Sequence, residues 1–99
     1  MKVVFSSLFK QDLLDAETRY ASASTRLSDD FHERVKEAVR TIIRRQGGDH
    51  IGSHGYPCRK CRPFPFLLYY QIEADTLYCL GLVHERRHPD YLHKNLGDT

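Results

Sequence analysis

Residues 66 to 84 hold two runs, Phe66 to Glu73 and Leu77 to His84, that are apolar at both alternating positions and are separated only by Ala74-Asp75-Thr76. Successive side chains of a strand point to opposite faces of a sheet, so a run of this kind has no face to give to water. The two runs are predicted to be central strands, paired antiparallel as a hairpin. Helices must then cover one face, with the other partly occupied. The rest of the chain has to supply those helices and the flanking strands.

Two helical patterns precede the hairpin. Phe9, Leu13, Ala16, Tyr20, Ala23 and Leu27 recur in steps of four and three, one stripe along a first helix with Ser6 or Ser7 as N-cap. Ser28 is the predicted N-cap of a second helix, with Asp29 and Asp30 in its first turn, where they complement the dipole. Its stripe is Phe31, Val35, Ala38, Val39, Ile42 and Ile43, and Arg44, Arg45 and Gly47-Gly48 close it. The joint at Ser24 to Ser28 is short, so the two helices are expected to form an antiparallel hairpin.

Lys2 to Ser6 has the branched and aromatic side chains of a short strand, and Arg59 to Arg62 offers another, held to an edge or a bulge by Pro63 and Pro65. Gly48 to Gly55 is a polar loop without periodicity, and a short helix fits Pro89 to Leu96. The expected fold is α+β, in the order β-α-α-β-β-β, with an antiparallel helix hairpin packed on one face of a small, mainly antiparallel sheet. With 99 residues and 40% hydrophobic side chains, the expectation is a single domain, 1–99, around one core.

Val3 to Phe5 is too short for a secretory core or a membrane span, and three cysteines are an odd number for a secreted disulfide framework. A cytoplasmic protein without membrane association is expected. Charge is uneven along the chain: residues 34 to 62 carry eight Lys/Arg against two Asp/Glu, whereas both flanks are net acidic. The basic middle third creates a positive field for a phosphate backbone or an acidic peptide. For Arg34, Lys36, Arg40 and Arg44 a solvated helix face is the simpler reading.

The run His84-Glu85-Arg86-Arg87-His88 gathers donors at a strand end, where side chains leave the sheet. Guanidinium groups bind phosphate or carboxylate through paired hydrogen bonds, and histidine exchanges protons near neutral pH. Against an RNA substrate, His84 would be general acid or base, with Arg62, Arg86 and Arg87 stabilising charge on the scissile phosphate. Tyr91 would assist or stack on a base. The competing reading pairs Arg86 and Arg87 with Glu85, Asp90 or the C-terminal carboxylate.

Neighbours on a strand face opposite ways, which assigns Tyr70 to the face of Phe66, Leu68 and Ile72 and Tyr69 to that of Leu67 and Gln71. Core packing is the simpler reading for both, with lining of the concave surface the alternative for Tyr69. Cys79 is mid-strand packing. His50, His54, Cys58 and Cys61 are a possible zinc set. Their ligand pairs lie too close for a finger, and on an extended chain Cys58 and Cys61 point to opposite faces, so no metal is expected.

The ordered pattern Arg62-Pro63-Phe64-Pro65-Phe66-Leu67-Leu68-Tyr69-Tyr70-Gln71-Ile72, then Leu77 to Val83, then His84 to Leu92, resembles the toxins of the RelE/ParE superfamily. Those toxins lead an Arg and a Phe-Pro-aromatic-hydrophobic-Tyr strand through a hairpin to a last strand ending in His-x-Arg-Arg-x-Pro. The first half is similar too, with a strand, Tyr20 followed by Ser24 and Leu27, and a helix carrying Phe31, Val35, Ala38 and Ile42. The resemblance spans roughly residues 2 to 92.

It implies the toxin of a type II toxin–antitoxin, or plasmid stabilisation, system. The implied partner is an antitoxin whose disordered C-terminal segment wraps the toxin, in a homodimer or a heterotetramer with the antitoxin, and no cofactor is implied. ParE-like members inhibit DNA gyrase, and RelE-like members cleave mRNA on the ribosome. The His-x-Arg-Arg-x-Pro ending is closer to the ParE-like group, in which Trp often follows the proline where this chain has Tyr91 or Leu92. Arg59, Lys60, Arg62, Tyr69, Arg86, Arg87 and Tyr91 are the expected binding residues. His84, Arg86 and Arg62 become catalytic only under the RelE-like activity. An inactive family member or a small zinc-binding interaction module are further alternatives.

Overall fold

A computed structural model of the chain describes residues 1–96. Lys2–Phe5 forms β1, Ser7–Ala23 α1, Thr25–Arg45 α2, Cys58–Lys60 β2, Phe66–Glu73 β3, Thr76–His84 β4 and Tyr91–Asn95 α3. The strands lie in the order β1-β4-β3-β2, with β1 parallel to β4 and the other neighbours antiparallel. The two doubly apolar runs are the central strands, as their composition requires. β2 takes an edge, where the following prolines cost no ladder bonds.

Serines set the helix boundaries. Ser6 accepts the Phe9 N–H at 3.0 Å and caps α1. The second cap is Ser24, not Ser28. In extended conformation (φ −167°, ψ 130°), Ser24 closes α1 with its own N–H on the Tyr20 carbonyl at 2.9 Å. Its hydroxyl opens α2 by accepting the Leu27 N–H at 3.2 Å. One residue therefore serves both helices. Ser28 lies a turn inside α2, donating to the Glu17 carbonyl at 3.0 Å across the hairpin, and Asp29 and Asp30 fall beyond the first turn. Gln46 and Gly47 end α2 in the left-handed region, at φ 53° and 87°. A side chain on Gly47 would also stand 3.1 Å from Ile72 Cδ1.

Phe9 and Ala16 of α1 and Phe31, Val35, Ala38 and Ile42 of α2 pack on Phe66, Leu68, Tyr70, Leu77, Cys79 and Leu82 of the central strands. One end of this core is aromatic: the Phe31 ring lies 5.1 Å from Tyr20 and from Phe64, and 5.2 Å from Phe66. A smaller cluster of Tyr69, Val83 and Leu92 fills the opposite face.

A β-bulge decides which residues of β4 face the helices. Tyr70 pairs with Cys79 but Tyr69 with Gly81, so Leu80 is the extra residue. The side chains that turn to the helices are Leu77 and Cys79 before the bulge, then Leu82 after it. His84 follows Leu82 onto the α1 side, whereas uninterrupted alternation would have sent it the other way. β1 stops opposite Cys79, and α1 completes the exposed edge of β4 with side chains. The Ser6 hydroxyl donates to the Leu80 carbonyl at 2.7 Å, and Asp12 Oδ2 accepts the Leu82 N–H at 3.0 Å.

Candidate functional site

The turn leaving β4 carries the expected donors. His84 stands edge-on to Phe66, ring centroids 5.3 Å apart, and its Nδ1 accepts the Arg86 N–H at 3.1 Å. That bond places the proton of the neutral ring on Nε2. The Arg86 side chain is exposed, and the Arg87 guanidinium lies 4.3 Å over the Tyr91 ring. Among the described residues neither arginine pairs with Glu85 or Asp90; Asp90 holds His88 and Lys94 instead. The C-terminal carboxylate lies outside those residues.

Beneath the turn is a residue not anticipated from the sequence, Asp12. Its carboxylate is buried and accepts the Tyr91 hydroxyl at 2.6 Å as well as the Leu82 N–H. Burial raises its pKa, against the opposing pull of those two bonds and the nearby Arg87 charge. Burial and the bond to Asp12 push the Tyr91 hydroxyl up to about 12. A chain of contacts thus runs from β4 through Asp12 and Tyr91 to Arg87. The signal was present in the sequence: Asp12 follows Phe9 by three and precedes Ala16 by four, a carboxylate on a stripe meant for the core.

Arg59, Lys60 and Arg62 lie elsewhere, along a groove of about 640 Å³ between β2, α2 and the loop at Asp49 to Gly52, with Arg34 on the helix side. The Arg59 Nη2 meets Asp49 Oδ1 at 3.2 Å, and Asp49 Oδ2 accepts the Tyr70 hydroxyl at 2.7 Å. Asp49 was not anticipated either, because its partners come from positions far along the chain. Arg62, grouped with His84 and Arg86 in the sequence reading, lines this groove, whereas His84 and Arg87 line a small cleft against Asp12, Asp15 and Arg19 of α1.

Of the two readings for Tyr69 the structure bears out packing and not the lining of an open concave surface. Tyr69 is fully buried beneath α3 and the loop before β2, with His54 edge-on at 4.9 Å and Leu92 and Val83 beside it. Strand alternation places it on the right face, but the elements covering that face have no periodic signature. His54, also buried, accepts the Leu92 N–H at 3.4 Å and so ties the loop to α3. Tyr70 is a core residue as expected. Cys61 enters the helix-side core and Cys58 packs with Tyr69, so the two thiols point apart. Among the described residues no group of three or more His, Cys, Asp or Glu is placed to hold a metal ion. Burial pushes the Cys61 and Cys79 thiols up to about 12, which makes both poor nucleophiles.

Two long helices packed on a four-stranded mixed sheet fit the RelE/ParE-like fold. The family described as ParE toxin of the type II toxin–antitoxin system, parDE, matches residues 3–89, and the chain belongs to it. It is the toxin of such a system, with an antitoxin protein as partner. No curated protein matches the chain. Among the described residues no helix is long and apolar enough to cross a membrane.

Proposed function

We propose that this toxin acts in the cytoplasm as an inhibitor of DNA gyrase, through surface contacts centred on Arg86, Arg87 and Tyr91, and not as a ribosome-dependent nuclease. The observation that supports the reading is that Arg62 and His84 line different clefts, so that of the arginines expected to stabilise a scissile phosphate only Arg87 shares a cleft with His84. Arg87, held over a ring that Asp12 anchors, is a preorganised contact of the kind that dominates protein interfaces.

The test incubates the toxin with gyrase and supercoiled plasmid, and separately with translating ribosomes. Trapped cleavage complexes are expected, weakened about tenfold or more by Arg86→Ala together with Arg87→Ala. Codon-positioned mRNA cuts that vanish in His84→Ala would establish the nuclease in its place.

The antitoxin's seat is proposed at a second surface. Phe5, Phe9, Leu13, Val35 and Val39 line an apolar groove of about 420 Å³ between α1, α2 and β1, rimmed by Lys10, Lys36 and Arg40. An amphipathic, acidic segment complements both its floor and its rim. Growth suppressed by the toxin is expected to recover when the adjacent small open reading frame is co-expressed. With Val39→Glu in the toxin that recovery should fail while toxicity persists. Full rescue of the variant would move the antitoxin elsewhere.

A further inference from the structure

The Arg59 side chain is only 22% exposed. Its guanidinium is fixed from behind by Asp49, which is itself held by the Tyr70 hydroxyl rising from the core. Its Nε–H is buried and has no hydrogen-bond partner among the described residues. A buried guanidinium donor without an acceptor in its own chain is costly, and a water, an ion or a ligand can supply the acceptor.

The surroundings define the ligand. Arg34 comes from α2, Lys60 from β2 and Arg62 from just beyond it, and none of the three is in an ion pair among the described residues. Glu37 also lines the groove, but its carboxylate is engaged by Arg40 at 3.2 Å. Asp49 is neutralised by Arg59. What remains is a cationic cleft of about 640 Å³, the size of a small-molecule site, with a preorganised arginine in its wall. Its lining includes no Phe, Tyr or Trp on which a base would stack. Recognition there rests on charge and on N–H donors, the chemistry of a phosphate group.

We propose that this groove is a phosphate-binding site, separate from the turn that carries Arg86 and Arg87, in which Arg59 and Arg62 hydrogen-bond the phosphate oxygens while Arg34 and Lys60 neutralise its charge. The phosphate can come from a small polyphosphate or from a nucleic-acid backbone. The inference does not rest on gyrase as the target, because binding is measured on the toxin alone.

The experiment titrates the full chain at low salt with inorganic pyrophosphate and, in parallel, with a short single-stranded oligonucleotide, followed by calorimetry and amide chemical shifts. Saturable binding of at least one probe is expected, with shifts at Arg59 to Arg62. Binding should weaken about tenfold or more in Lys60→Ala/Arg62→Ala, which removes two exposed side chains from the groove. Lys2→Ala/Arg26→Ala removes the same charge from exposed positions outside the groove and should change affinity less than about threefold. Pyrophosphate binding would identify a small-molecule site, and oligonucleotide binding alone a backbone site. The proposal is overturned if neither probe saturates at millimolar concentration, if both double variants weaken binding equally, or if an acidic peptide binds the groove and neither phosphate probe does.

Discussion

Phe31→Ala should cost the fold about 3–5 kcal/mol, the range for deleting a buried aromatic ring, and leave little native protein at growth temperature. Phe31 has 0% exposure, and its ring touches Tyr20 of α1 and Phe64 and Phe66 from the sheet side. Together with Tyr20, whose ring lies 5.1 Å from Phe64 and 6.3 Å from Phe66, it joins both helices to the sheet at this end of the core. Total stability of a domain this size is about 5–15 kcal/mol, so the loss is a large share of it. The collapse of Tyr20, Phe64 and Phe66 into the cavity would recover only part of the loss, since edge-to-face rings are held by one another. Urea unfolding followed by far-UV circular dichroism measures the change. Leu14→Ala, at a position 58% exposed, is the control and should change stability by under about 0.5 kcal/mol.

Asp12→Ala is expected to destabilise the protein by about 2–4 kcal/mol and to reduce toxicity even at temperatures where it remains folded. The carboxylate completes the β4 edge at Leu82 and holds the Tyr91 hydroxyl, so its removal orphans a buried N–H and frees the ring under Arg87. Asp12→Asn should be far milder, under about 1.5 kcal/mol, because an amide can accept from Leu82 and donate to the tyrosine oxygen. The acid also has a signature in pH. Burial raises its folded pKa above the unfolded value, so the protonated form favours the fold. That contribution is fully present below the unfolded pKa and is lost as pH rises through the folded one. Stability of the native protein relative to Asp12→Asn should therefore increase as pH falls into the carboxylate range, read from urea midpoints at a series of pH values. A difference that does not change with pH would show that Asp12 titrates as it does in the unfolded chain.

Most of the architecture is legible in residue types alone. Two runs apolar at both alternating positions demand a covered central hairpin, and two stripes at helical spacing demand something to cover. The strand bounds at Phe66–Glu73 follow directly, because Ala74 and Asp75 break the apolar run. The turn of basic residues after His84 is equally a matter of local sequence. The second helix cap was misplaced because Ser28 with two following aspartates imitates a first turn as well as Ser24 does. Only the packing of Ser28 against Glu17 across the hairpin distinguishes them.

What tertiary structure alone decided is which of the polar residues meet. The bulge at Leu80 turns His84 toward α1, and the short reach of β1 leaves an edge that Ser6 and Asp12 complete. Tyr69, placed correctly by alternation, is buried by a loop and a short helix that have no period to read. Arg62 and His84 are 22 positions apart in sequence, with the β3 and β4 hairpin between them, and they open into different clefts. Periodicity reports the average environment of each face, which is enough for a fold. A site is made of particular pairings across the chain, such as Asp12 with Tyr91 and Asp49 with Arg59, and those depend on register, bulges and where each strand ends.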